Sequence, residues 1–302
     1  MKQPTMLVIT GPTASGKSAL AVEVASRLGA EIISADSRQI YTGIPIVTAM
    51  PTPEERSRVH HHLIDMLPLD SYYSAAKFEE DALSIAGPLM QRDGSAVVCG
   101  GSMLYVDALC NGIDPLPTVP DDVREGVRRQ LNQLGTEWLL AELELLDPEY
   151  FKIVDRNNLK RVIHAVEIIR TAGRPLSELQ SGLTQSRDFK IVKILVEAPR
   201  EELFNRINTR VDAMMDAGLE EEAAGVAHLR HLNSLNTVGL KEMFAMFDGL
   251  MTRTEAVERI KKNTRVYAKK QITWWKKRDD MVRVERDSAD WQRLISNPES
   301  FL

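Results

Sequence analysis

Met6-Leu-Val-Ile-Thr10-Gly11-Pro-Thr-Ala-Ser-Gly16-Lys17-Ser18-Ala-Leu20 decides how the fold is read, because the local pattern changes twice within it. A short apolar run stops at glycine, a glycine-bounded loop comes next, and from Ser18 to Leu28 the apolar residues recur at helical spacing. The loop itself, Gly11, Pro12, Thr13, Ala14, Ser15, Gly16, Lys17 and Ser18, is a complete G-x-x-x-x-G-K-[ST] in the strand-then-helix context that this motif demands. Its physics is anion binding. Backbone N–H groups of such a loop converge with the positive end of the following helix on a phosphate, Lys17 supplies a compact charge, and the Ser18 hydroxyl can ligate Mg²⁺. A di- or triphosphate site is expected, and the reaction is left open.

Outward from the loop, Glu31-Ile-Ile-Ser34 resumes a strand and completes a βαβ opening. Ala96-Val-Val-Cys99 and Ile191-Val-Lys-Ile-Leu-Val196 are further strand-sized apolar runs, with helical spacing at Ala75 to Gln91 and Met103 to Leu109. Strands interleaved with helices predict an α/β fold, a P-loop NTPase-like core whose mostly parallel sheet is covered on both faces. Between about 115 and 184 no strand-like run occurs, and helices are punctuated by Pro115, Pro117, Pro120, Pro148 and Pro175. This segment is expected to be an inserted all-helical subdomain, residues 115–184, within a catalytic core of residues 1–114 and 185–302. Residues from about 200 to 279 again read as helix, and the last twenty give only weak signals.

Composition bounds the function classes. With 302 residues, 43% hydrophobic and 27% charged, the chain suits about two globular domains and excludes disordered or collagen-like classes. Cys99 and Cys110 cannot build a disulfide framework and sit in no Cys/His cluster, so buried thiols in a reducing compartment are expected. No apolar run approaches a membrane span, and Met1-Lys-Gln-Pro-Thr5 leads straight into the first strand without a signal-peptide core. A cytoplasmic protein with no membrane partner is expected.

The net charge of −5 taken alone would argue against a polyanionic partner. The average conceals a basic segment: Arg253 to Arg278 carries ten Lys and Arg against Glu255 and Glu258. Lys262, Arg265, Lys269 and Lys276 line one helical face, with Tyr267, Trp274 and Trp275 interleaved, a pattern that suits phosphate tracking with stacking groups. The competing reading is a solvated helix whose Trp pair packs in the core. The insert adds Arg156, Lys160, Arg161, Arg170 and Arg174 against Glu167.

Other parts of nucleotide-hydrolysing machinery are poorly represented. Ala96 to Cys99 runs into Gly100-Gly101-Ser102 where an apolar run ending in a metal-binding Asp would be expected, and no guanine-reading Asn-Lys-x-Asp occurs. The second strand leads instead into Asp36, which the crevice of a doubly wound sheet would bring close to the phosphate loop. On spacing alone it is a helix cap, a metal ligand or a general base. Ser102 brings a hydroxyl to the same crevice or caps a helix. His60-His61-His62 has no carboxylate or Cys at ligand spacing within it, and adjacent side chains diverge, so no metal is expected there.

Several separated segments together resemble the tRNA dimethylallyltransferase, or isopentenyltransferase, family. They are Gly11 to Ser18, Ser34-Ala-Asp-Ser-Arg-Gln-Ile-Tyr41, His61-His-Leu-Ile-Asp65, Gly100-Gly-Ser-Met-Leu-Tyr105, Arg210-Val-Asp-Ala-Met214 with Gly218, Val238-Gly-Leu-Lys-Glu242, and Tyr267-Ala-Lys-Lys-Gln-Ile-Thr-Trp274. The resemblance implies transfer of a dimethylallyl group from dimethylallyl diphosphate to N6 of the adenosine on the 3′ side of the anticodon, in tRNAs reading codons that begin with U. The phosphate loop would then hold a diphosphate leaving group with Mg²⁺, and the chain is taken as a monomer whose partner is the tRNA anticodon stem-loop.

By the same resemblance Asp36, Ser102 and Arg210 are the catalytic candidates. The tRNA contacts fall on Asp36, Ser37, Arg38, Gln39, Ser102, Arg124, Lys160, Arg161, Val162, Ile163, His164, Lys241 and Lys269, and Ser18 is the metal candidate. The chain departs from the family pattern at Ser102, usually Thr, at His164, usually Arg, and at Leu159, usually Pro. Two other classes compete: a small-molecule or nucleotide kinase, in which Asp36 would activate a hydroxyl, and a non-catalytic RNA-binding module with a vestigial loop. Two separated basic segments oppose the kinase, and the intact loop, carboxylate and hydroxyl oppose the vestige.

Overall fold

The computed structural model describes residues 3–114, 116–180, 182 and 184–302. Pro115, expected to punctuate the insert, lies outside the described residues. The first strand, β1 (Thr5–Thr10), is buried along its whole length. It passes through the phosphate loop into α1 (Lys17–Leu28), which turns Leu20, Ala21, Val22, Val24 and Ala25 inward. Next come β2 (Ile32–Ser34), α2 (Pro53–Arg58), β3 (His61–His62), α3 (Ala75–Asp93), β4 (Ser95–Gly100) and α4 (Met103–Asn111). The insert supplies α5 (Asp121–Leu146), interrupted at Gly135 (φ 82°), α6 (Pro148–Ile153), α7 (Leu159–Ala172) and α8 (Leu176–Leu179). β5 (Lys190–Glu197) then returns to the sheet, ahead of α9 (Arg200–Asp216), α10 (Leu219–Val226), α11 (Leu240–Phe247), α12 (Arg253–Lys276), β6 (Val282–Glu285) and α13 (Ala289–Ser296).

Among the described residues the strands form one six-stranded sheet in the order β3-β2-β4-β1-β5-β6, and every pairing is parallel. The apolar runs of β1, β4 and β5 occupy its centre, as expected of strands covered on both faces. The C-terminal twenty residues, weak in sequence signal, prove to be structural. β6 extends the sheet edge, and Val284, Trp291 and Leu294 join Leu7, Ile9, Leu20 and Val97 in one core cluster. A four-residue edge strand reading Val-Arg-Val-Glu has too short an alternation to stand out in sequence.

The chain divides into two units, Met1–Asn111 with Ser186–Leu302, and Gly112–Gln185. The second is helical and packs its own core from Val127, Leu139, Leu143, Val162, Val166 and Ile169. Asp147 caps α6 by accepting the Tyr150 N–H, and it also accepts the Ser177 N–H and hydroxyl, tying α8 to α6.

Candidate active site

Register places the site. Thr10 pairs with Gly100 on one side and Leu195 on the other, so the chain leaves β1 and β4 at the same level, and Ser34 pairs with Cys99 just below. Three connections therefore open together at the C-terminal ends of these strands: the phosphate loop, the segment from Asp36 to Gln39, and Gly100-Gly101-Ser102.

The loop needs its glycines. A Cβ at Gly11 would stand 2.5 Å from the Val196 carbonyl, and Gly16 holds φ 96° as the residue entering α1. Ala14 takes φ 63°, a left-handed conformation uncommon for a residue with a Cβ, of the kind that aims successive N–H groups into one concavity. α1 has no side-chain cap and no acidic residue in its first turn, which leaves its first amides for an anion. Lys17 Nζ donates to the Pro12 carbonyl at 3.2 Å and so is folded back over the loop. Burial holds its ammonium below the usual 10.5, Arg210 adds to that shift, and the Asp36 carboxylate opposes it.

Close approach of backbone continues across the strand ends. A Cβ at Gly100 would meet the Ala35 carbonyl at 2.2 Å, and one at Gly101 would meet Gln271 Nε2 at 2.6 Å. Ser102 does not act as the plain helix cap that its position allowed. Its hydroxyl accepts the Ser37 N–H at 2.8 Å, and its own N–H donates to the Ala35 carbonyl, so two of the three connections are stitched together. Accepting that bond leaves the Ser102 proton free to donate. Asp36 Oδ1 accepts the N–H of Arg38 at 2.9 Å and of Gln39 at 3.4 Å, a turn cap that fixes the carboxylate's direction and leaves Oδ2 for other work. Gln39 is spent on the fold: its amide donates to the Thr48 and Ala49 carbonyls and its oxygen accepts the Ser34 hydroxyl. Arg38 reaches the Asn233 carbonyl.

Arg210, on α9, brings a second cation from the other half of the chain. Its guanidinium lies 3.4 Å from the Thr13 hydroxyl, and burial lowers its pKa while Asp36 raises it. Gln271, on α12, was not singled out by sequence reasoning as a site residue. It is 1% exposed, accepts the Thr13 N–H at 2.8 Å and donates to the Gly101 carbonyl at 2.9 Å, clamping the phosphate loop to the β4 exit. The signal was present: Ile260, Ala268, Gln271 and Trp275 share one buried helical stripe, and a polar residue on such a stripe needs partners.

A cavity of about 620 Å³ opens over this assembly, lined by Thr13, Lys17, Ser18, Asp36, Arg38, Ser102, Arg210, Lys241, Tyr267 and Gln271 among others. Of the loop residues, Gly11, Pro12, Ala14, Ser15 and Gly16 are not in the lining, and the Pro12 carbonyl accepts both Lys17 Nζ and the Ser15 N–H. The Ser18 hydroxyl is a hard donor of the kind Mg²⁺ takes alongside phosphate oxygens and water, so the loop fits that ion. Cys99 also reaches the cavity wall, with its thiol raised to about 11 by burial, and it is therefore inert as a nucleophile near neutral pH.

The remaining predicted contacts are distributed over both units. Lys269 is exposed on α12 and lies 5.5 Å from the centre of the Phe204 ring. The Trp pair divides: Trp275 is 1% exposed in the core, whereas Trp274 is 36% exposed with Arg278 over its ring. The competing reading, in which both Trp side chains pack in the core, thus holds for Trp275 and not for Trp274. In the helical unit Lys160, Arg161 and His164 are exposed along α7, and Arg124 is half-buried near the start of α5. Val162 is a correction: its side chain is fully buried and Ile163 is half-buried, because 162, 165, 166 and 169 form the inner face of α7. Among the described residues no helix is long and apolar enough to cross a membrane.

Known proteins share both the sequence and the fold. A family model described as IPP transferase matches residues 39–278. A protein of Parabacteroides distasonis named tRNA dimethylallyltransferase 2 is 47% identical over 286 residues, covering 95% of this chain and 96% of that one. The crystal structure of a tRNA delta(2)-isopentenylpyrophosphate transferase from Staphylococcus epidermidis superposes with a TM-score of 0.70 at 32% identity, over 99% of this chain and 98% of that one. A eukaryotic dimethylallyltransferase described as acting on tRNA gives a TM-score of 0.81 at 23% identity, over 98% of this chain and 77% of that one, a likeness of fold.

Proposed function

The chain belongs to the IPP transferase family, and from that premise we propose that it is a Mg²⁺-dependent tRNA dimethylallyltransferase. It moves a dimethylallyl group from dimethylallyl diphosphate to N6 of the adenosine on the 3′ side of the anticodon, in tRNAs reading codons that begin with U. The observation that carries this reading is one cavity holding two desolvated cations, Lys17 and Arg210, with Asp36 beside them, while the other lining carboxylate, Glu55, is taken up by the Thr52 N–H. Cations gathered over a phosphate loop suit a departing diphosphate, and a carboxylate directed by its turn, with Oδ2 uncommitted, suits proton removal.

An adenine amine is a weak nucleophile because its lone pair is delocalised into the ring, so attack needs a base for the N6 proton. In the proposed step the N6–C bond forms at the allylic carbon, the C–O bond to diphosphate breaks with its electron pair, and Asp36 takes the N6 proton. Lys17, the loop amides, Arg210 and the Ser102 hydroxyl stabilise the charge that develops on the leaving oxygen. Mg²⁺, held by Ser18 and the diphosphate, would screen the remaining phosphate charge. The target base must leave its stack to enter the cavity, as bases undergoing chemistry do. Asp36, Ser37, Arg38, Ser102, Lys241 and Lys269 are proposed RNA contacts in the first unit, with Gln39 bracing their turn, and Arg124, Lys160, Arg161 and His164 in the helical unit, where Val162 and Ile163 pack α7 instead.

The test is incubation with labelled dimethylallyl diphosphate, tRNA and Mg²⁺, followed by digestion to nucleosides. Label on N6 of the adenosine beside the anticodon is expected. ATP consumed with phosphate passed to an acceptor, and no label in RNA, would establish the kinase reading instead.

A further inference from the structure

The histidine tract at positions 60–62 acquires a partner that its own neighbourhood in sequence lacks. Glu31 precedes β2, which pairs with β3 through Ile32↔His61, and the Ile32 N–H donates to the His60 carbonyl at 2.9 Å. The strand alternation turns His61 toward the cavity already described, and it leaves His60 and His62 close together beside Glu31. Their rings stand edge to face with centroids 4.4 Å apart, and His62 Nε2 lies 2.6 Å from Glu31 Oε2. Among the described residues, Glu31, His60 and His62 are the one group of three His, Cys, Asp or Glu that offers ligand atoms within 4.8 Å of one another.

We propose that Glu31, His60 and His62 form a binding site for a zinc-class transition-metal dication, distinct from the Mg²⁺ role proposed for the phosphate loop. The donor chemistry selects the ion. Two imidazole nitrogens and a carboxylate oxygen suit Zn²⁺ or Co²⁺, whereas Mg²⁺ prefers oxygen alone. Two His and one Glu leave a fourth tetrahedral position for water, and His60 is exposed, so solvent and metal can enter. The supporting shell is also present: Arg92 donates to Glu31 Oε1 at 2.6 Å, which orients the carboxylate and leaves Oε2 for the metal. The ion takes the place of the proton shared by His62 Nε2 and Glu31 Oε2, and it releases that proton on binding. Bound there, it ties the two-residue edge strand β3 to the start of β2.

The full-length chain, stripped with chelator, is titrated with Co²⁺ and followed by visible absorption, then challenged with Zn²⁺ and with excess Mg²⁺. Expected are one Co²⁺ per chain with a tetrahedral spectrum, displacement by Zn²⁺ but not by Mg²⁺, and a Zn²⁺-induced rise in Tm. His60→Ala, at an exposed position, should keep the metal-free Tm while weakening Co²⁺ binding by more than about tenfold, and Arg92→Gln should weaken it by about tenfold. Stoichiometric binding unaffected by His60→Ala would overturn the proposal, as would an octahedral spectrum displaced by Mg²⁺ or no binding at all. None of these readouts uses prenyl transfer, so the outcome is independent of the activity proposed above.

Discussion

Asp36 is the residue on which structure and chemistry can be separated. Its Oδ1 caps the turn to Arg38 and Gln39, and an amide oxygen at the same place accepts those N–H groups equally well. Asp36→Asn should therefore fold with unchanged Tm and bind tRNA within a few fold, while single-turnover transfer falls by about a hundredfold or more, the scale of losing a general base. Normal turnover in that variant would remove Asp36 from the role. Lys17 gives a pH dependence. Burial holds its ammonium below 10.5, whereas the unfolded chain keeps the proton up to that value. Between the depressed value and 10.5 the unfolded state binds more protons, so the penalty of burying this charge relaxes as pH rises and stability gains. Diphosphate binding works in the opposite sense, since the anion favours the charged lysine. Affinity for inorganic diphosphate, measured calorimetrically, should fall as pH rises through that window, and Lys17→Arg, permanently charged, should flatten the fall.

At the scale of elements, α12 performs two tasks on two faces. Its inner stripe carries Ala268, Gln271 and Trp275, and its outer face carries Lys262, Lys269, Trp274 and Lys276. Trp275→Ala should cost about 3–5 kcal/mol, as large aromatic truncations in a core do, and chemical denaturation measures it. Lys269 and Lys276 changed together to Ala should leave stability nearly untouched and weaken tRNA binding. Its log–log salt slope should fall by about 1 for each phosphate no longer neutralised, and an unchanged slope would mean that this face does not meet RNA. The same helix shows what was legible beforehand. Its charge pattern and the β1–loop–α1 opening could be read because each is a local periodicity or a contiguous motif. β3, two histidines long, and the Glu31–His60–His62 cluster could not, because strand pairing rather than sequence spacing brings those groups together. Gln271 stood within a quoted motif, but its role as a clamp depends on Thr13 and Gly101, far away in the chain.

Across the whole molecule, the hydrophobic clusters divide by unit. Leu7, Ile9, Val97 and Ile194 pack the sheet unit, while Leu139, Leu143, Val162 and Ile169 pack residues drawn entirely from the helical unit. The phosphate loop, Lys17, Arg210 and Asp36 belong to the first, and the basic stretch of α7 belongs to the second. A cavity made in the helical core should then loosen one unit and leave the other's chemistry in place. Leu143→Ala removes a fully buried side chain and should cost that unit about 2–5 kcal/mol. Hydrogen exchange should rise across α5, α6 and α7 while β1, β4 and β5 stay protected, since local opening follows cooperative packing units. Diphosphate affinity should hold, because Lys17, Arg210 and Gln271 draw no packing from the helical core, whereas tRNA affinity should drop as Lys160, Arg161 and His164 lose a fixed platform. Uniform loss of protection across both units would show that the two units unfold as one.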